Sequence, residues 1–160
     1  MTSADELRGR NRDLDRQLRE LVATVPDERL RDAAGAGEWT LAENLAHIAE
    51  FPRYFAREIT RMVAADADVE VGRTHEHPER NEAIAAAESK DRGQLSAAID
   101  AALDEMANAL GLVSDDDLRR VFTNRKYGQE PLTAYLQRYV LGHKAAHVDQ
   151  LRRTLAAVAR

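Results

Sequence analysis

Residues 40–62, TLAENLAHIAEFPRYFAREITRM, decide the fold. Leu41, Leu45, Ile48, Phe55, Ile59 and Met62 recur at spacings of three, four and seven, which places them on one face of a helix. Thr40 with Glu43 three positions on forms a capping box, in which each side chain satisfies a free amide at the helix head. Pro52 lies inside the run, where one lost backbone bond predicts a kink or a break.

The same periodicity extends outward on both sides. Leu7, Leu14, Leu18, Leu21 and Val25 mark a helix from Ala4 to Val25, closed by Pro26. Leu95, Ile99, Leu103, Met106 and Leu110 mark a third, spanning about Ala85 to Leu110 and stopped by Gly111. A fourth starts at Pro131, a favoured first helical residue, and carries Leu132, Leu136, Val140, Leu151, Leu155 and Val158. Runs of β-branched and aromatic residues are nearly missing, so strands are not expected. Two connections, Asp66 to Ile84 and Leu112 to Glu130, exceed what adjacent helices need, and Ser114 looks like the cap of a short helix in the second. The expected fold is all-α: an antiparallel four-helix bundle with one or two long crossover connections, one domain over residues 1–160.

Composition narrows the function. The chain has 160 residues, 23 basic against 28 acidic, and a net charge of −5, so no basic field invites nucleic acid. Cysteine is absent, which excludes disulfides, thiolate metal sites and cysteine nucleophiles. No apolar stretch approaches a membrane span, and the polar Met1–Arg12 segment lacks a signal-peptide core. A cytoplasmic protein acting on a small molecule is expected.

His143 and His147 are one helical turn apart in the fourth helix. At 100° per residue they fall between Leu136 and Val140, in the centre of the core-facing stripe. Imidazoles at this spacing can grip one metal ion, or they can be two core histidines with separate hydrogen-bond partners. Burying two adjacent rings is costly without a shared partner, because protonating both sets like charges together. His47 lies about 100° from the centre of its helix's apolar face, on an edge with Phe51, Tyr54 and Glu58. Such an edge faces either a neighbouring helix or water.

The stretch Glu38-Trp39-Thr40-Leu41-Ala42-Glu43-Asn44-Leu45-Ala46-His47-Ile48, joined to His143-Lys144-Ala145-Ala146-His147-Val148-Asp149-Gln150-Leu151, resembles the DinB/YfiT-like family of metal-dependent four-helix-bundle enzymes. The resemblance covers essentially the whole chain. It implies a metal site on His47, His143 and His147 and a bundle that often pairs as a homodimer. It also implies activities such as transfer or isomerisation with a low-molecular-weight thiol, mycothiol or bacillithiol, as cosubstrate. Three imidazoles with an open position make a catalytic rather than a structural site. Zn²⁺ is the leading ion, with Ni²⁺, Fe²⁺ and Mn²⁺ as alternatives. Lys144 stands where a zincin peptidase has its glutamate, which argues against peptidase chemistry.

The leading function is a metal-dependent S-transferase or related detoxifying enzyme. The alternatives are a hydrolase that uses metal-activated water, and a non-catalytic helical binding module with structural histidines. The acid or base is open: Glu43 is one turn from His47 but also serves the capping box, and Asp149 and Gln150 can accept from ring N–H groups or face water. Tyr54 and Tyr139 are candidates for orienting a substrate, or plain core. In the first long connection, His75 and His77 are candidates for a second ion site, a lid or substrate contact, and Arg73 for pairing with a substrate carboxylate, against a solvated loop. Asp115-Asp116-Asp117 reads as helix N-terminal charge.

Overall fold

The computed structural model describes every residue from Met1 to Arg160. Ser3 caps α1 (Ala4–Ala23) by accepting from the Glu6 amide. The predicted capping box is formed at the head of α2 (Leu41–Ala64), where the Thr40 amide donates to Glu43 and the Glu43 amide to Thr40. After α3 (Pro78–Ala85), a second box between Asp91 and Gln94 opens α4 (Arg92–Gly111). The last helical stretch comprises α5 (Leu132–Tyr135), a π-helical turn over Leu136–Gly142, and α6 (His143–Val158).

The four long helices form the predicted bundle. α1 and α2 each pack against both α4 and α6, so α1 lies diagonal to α2 and α4 diagonal to α6, while α2 and α4 lie side by side. Crossing the diagonal from α4 to α6 requires the long second connection. Every apolar residue predicted for α2 and α4 is buried, in one continuous core. In α1 the buried face is instead Leu7, Asn11, Asp15, Leu18 and Val22, with Leu14 and Leu21 only partly covered.

Five expectations change. α2 is not broken at Pro52: it is helical from Leu41 to Ala64, with Phe51 and Phe55 buried on either side of the proline despite the missing bond. The third helix starts at Arg92 rather than Ala85, since Asp91 caps it and a 3₁₀ turn, Ala86–Ser89, precedes it. Pro131 is the extended residue before α5, not its first helical position, because it is still paired in a strand. Ser114 accepts from the Asp117 amide as a cap does, but only a 3₁₀ turn, Asp117–Arg119, comes after it.

The fifth change is the presence of strands. β1 (Glu70–Val71), β2 (Val121–Asn124) and β3 (Gly128–Pro131) form a small sheet ordered β1-β2-β3, with β1 parallel and β3 antiparallel to β2. The sheet joins the two long connections. Its hairpin is closed by Asn124, whose side-chain carbonyl accepts from the amides of Lys126 and Tyr127 at 2.9 and 3.3 Å, with Gly128 at φ +75° completing the turn. The buried Glu58 carboxylate pins the sheet to the bundle, accepting from the Gly72 amide at 2.8 Å, Tyr135 at 2.5 Å and Tyr54 at 3.2 Å. No helix is long and apolar enough to cross a membrane.

Candidate metal centre

The two histidine motifs meet. His47 projects from α2 and His143 and His147 from the start of α6, with one ring nitrogen of each within 4.8 Å of the others. Nε2 of His47 lies 3.3 Å from Nε2 of His143, and the ring centroids are separated by 4.6 to 5.5 Å. Phe51 packs against both α6 histidines and Trp39 against His47, so the cluster has apolar walls. His47 is 2% exposed. The edge of its helix therefore faces a neighbour and not water.

The position of α6 is set by the turn before it. A π-helical turn admits one extra residue per hydrogen-bonded ring and re-aims the helix beyond it, which is why such turns recur at functional sites. A Cβ on Gly142 would sit 3.0 Å from the carbonyl oxygen of Gln137, so glycine fits this turn best. As a result Tyr139, His143, His147 and Gln150 share a face that opens into a cavity of ≈ 590 Å³. The centre of the core-facing stripe is taken instead by Val140, Lys144, Val148 and Leu151, all buried. The uniform wheel put the histidines there because it assumed an uninterrupted α-helix.

Burial sets the protonation of the triad. It lowers the pKa of His47 against the pull of Glu50, that of His143 to about 4, and that of His147 to about 2. All three rings are therefore neutral at pH 7, the form that binds metals. The Glu50 carboxylate faces Nδ1 of His47 at 3.5 Å and accepts both arms of the Arg73 guanidinium at 2.5 and 2.6 Å. Burial works to raise the Glu50 carboxyl, but His47 and Arg73 overcome it and hold it at about 2. A carboxylate facing Nδ1 favours the tautomer with its proton there, which leaves the Nε2 lone pair toward the other histidines.

These residues fit a divalent ion. Two nitrogens at about 2.0–2.1 Å from a tetrahedral Zn²⁺ are about 3.3 Å apart, the separation seen between His47 and His143. Protein contacts alone leave Nδ1 of His47 and Nδ1 of His147, both buried, without a hydrogen-bond partner.

Of the other candidates from sequence, Arg73, His75 and Tyr139 line the cavity. Tyr54 lies behind its wall, donating to Glu58 with the Arg73 guanidinium 4.1 Å from its ring centroid. His77 packs against Tyr54, centroids 5.0 Å apart, away from the triad. Glu43 is engaged in the capping box, and Asp149 pairs with Arg152 on the surface. Sequence reasoning missed Glu50, Arg80, Lys126 and Arg138. Glu50 was legible as an i,i+3 carboxylate after His47; the basic trio comes from three separate segments with no local signal.

A helical bundle with a convergent histidine triad beside an open cavity defines the class of protein. The chain belongs to the DinB superfamily, whose family profile matches residues 12–151. Its structure is similar to that of YfiT from Bacillus subtilis, described as a probable metal-dependent hydrolase with an unusual four-helix bundle topology. The identity is 18% and the TM-score 0.71, over 94% of this chain and 86% of that one. A mycothiol-dependent maleylpyruvate isomerase is also similar, at 17% identity and a TM-score of 0.72. That match covers 94% of this chain but 63% of the isomerase, so the chain spans under two thirds of its length. No protein of curated function matches the sequence.

Proposed function

We propose that the chain is a metal-dependent enzyme whose ion, Zn²⁺ foremost, is held by His47, His143 and His147, and which transfers a small electrophile to a low-molecular-weight thiol. The observation that carries this reading is the meeting of three neutral imidazoles at the wall of a ≈ 590 Å³ cavity. When bound, such an ion supplies Lewis acidity, which stabilises a thiolate or polarises a carbonyl at neutral pH. The chain's own residues do the rest. Glu50 faces Nδ1 of His47 and favours one tautomer, and Arg73 holds Glu50. Phe51, fully buried against both α6 histidines, keeps water from the rear of the triad. With no cysteine in the chain, the sulfur nucleophile has to come from outside. The thiol-dependent isomerase among its structural relatives supports this choice, and YfiT supports a second reading, a metal-dependent hydrolase.

The test is conjugation of mycothiol, bacillithiol or glutathione with monobromobimane, in which a C–S bond forms, bromide leaves and the thiol proton passes to buffer. Zinc-loaded wild type is expected to exceed the uncatalysed rate with at least one thiol, and His147→Ala is expected not to. Equal rates for the two proteins with every thiol remove the transferase reading. Zinc-dependent cleavage across an ester and amide panel establishes the hydrolase instead.

A further inference from the structure

The cavity beside the triad is basic, although the chain as a whole is acidic. Its wall carries Arg73, Arg80, Lys126 and Arg138 against one carboxylate, Glu38, while the net charge of the chain is −5. Two of the four cations are neutralised: Arg73 by Glu50, and Arg138 by Glu130 at 2.6 and 2.8 Å. The other two have no carboxylate within ion-pair distance.

Arg80 is the more telling of the pair. It is half-buried, and its only hydrogen bonds come from Nη1, to the His75 carbonyl and the Asn81 side chain. Nε and Nη2 are left to donate elsewhere. It occupies the first turn of α3, where the helix dipole disfavours a cation, so its own element does not compensate the charge. Its guanidinium lies 5.1 Å from the ring of Trp39, whose other neighbour is His47. Lys126 stands at the hairpin tip and lines the same cavity. A partly desolvated guanidinium with two free donors is the usual arrangement for recognising an oxyanion.

We infer that the molecule transformed at the triad carries an oxyanion, a carboxylate or a phosphate, held by Arg80 and Lys126 beside Trp39. This rests on the reading of the triad as the reacting end of the cavity. Two unpaired cations and a divalent ion in one cavity would repel a cationic substrate, and a neutral one would leave Arg80 without a partner.

Trp39 is the chain's one tryptophan, so its fluorescence reports on this wall without a label. Zinc-loaded protein is titrated with succinate, inorganic phosphate and the neutral succinamide, and the zinc content of each sample is measured. A saturable change is expected with succinate or phosphate, and the anion that binds more tightly identifies the group. Arg80→Gln is expected to weaken that binding by about tenfold or more, and Lys126→Gln to weaken it less, since Lys126 is exposed. Arg92→Gln, which removes the surface pair with Asp27, should leave it unchanged. Equal binding to wild type and Arg80→Gln, or succinamide binding as well as succinate, overturns the inference. Zinc bound at one equivalent with no response to either anion also overturns it, and leaves the triad standing. Anion binding lost in Arg80→Gln by a protein with no zinc affinity supports the anion site and removes the metal reading instead.

Discussion

Lys144 and Asp15 form a buried ion pair between α6 and α1, one residue away from the histidine cluster. Its ammonium donates to Asp15 and to Asn11, and the lysine is 0% exposed. The helix that presents His143 and His147 to the cavity is thus anchored on the adjacent, core-facing side by a charge in the core.

Removing one partner leaves the other charged, buried and unpaired. Lys144→Met is expected to destabilise the protein by about 3–5 kcal/mol in urea unfolding, and replacing Asp15 and Asn11 with leucine in the same chain should recover most of the loss. A loss below about 1 kcal/mol for Lys144→Met contradicts the buried pair.

Glu50 orients His47, so its effect should appear in metal affinity before it appears in folding. Glu50→Gln keeps the shape but lowers the basicity of the imidazole partner and releases Arg73. Zinc affinity, read by competition with a chromophoric chelator, should fall about 10- to 100-fold. Unchanged affinity would place Glu50 outside the site.

Much of this architecture was legible in sequence because it is local. The Thr40–Glu43 box and the apolar faces of α2 and α4 need only neighbouring residues to specify them. The Asp91–Gln94 box was equally legible, but the apolar periodicity drew the helix start back to Ala85. The sheet was missed because β1 has only two residues and pairs with a strand 53 positions away, Glu70 with Thr123. Val121-Phe122-Thr123 with Tyr127-Gly128 close behind was its one local signal. In sequence Lys144 stands out only as the residue in the place of a zincin glutamate; Asn11 and Asp15 on the buried face of α1 are the clue to where it goes. The π turn has no sequence signature apart from Gly142, and it decides whether the histidines face core or cavity.

Gly72 has φ +87°, and a Cβ there would meet the Asn124 side chain at 2.8 Å. Gly72→Ala should therefore cost about 1–3 kcal/mol, from backbone strain and displacement of the hairpin's closing residue. Wild-type stability in this variant would contradict the close approach of β1 to Asn124.

Three of the four tyrosines are held neutral by their surroundings. Burial, reinforced by the Glu58 charge, raises Tyr54 to about 12 and Tyr135 well above its usual value, and burial raises Tyr139. Because the folded pKa exceeds the unfolded one, this stabilisation is complete below about pH 10 and is lost as pH rises toward the folded values. At about pH 10 the native protein should show much less tyrosinate absorbance than the chain in urea, and Tyr54→Phe should flatten the alkaline loss of stability. Matching native and unfolded titration curves would rule out the Glu58 network.

The most direct test of the account is the metal content of protein prepared without a histidine tag. Wild type should hold close to one equivalent of a divalent first-row metal, with chelation lowering its melting temperature because binding is coupled to the folded state. His143→Ala and the His47/His143 double variant should lose tight binding, while His75→Ala should keep it. Full metal content in the double variant would contradict the triad.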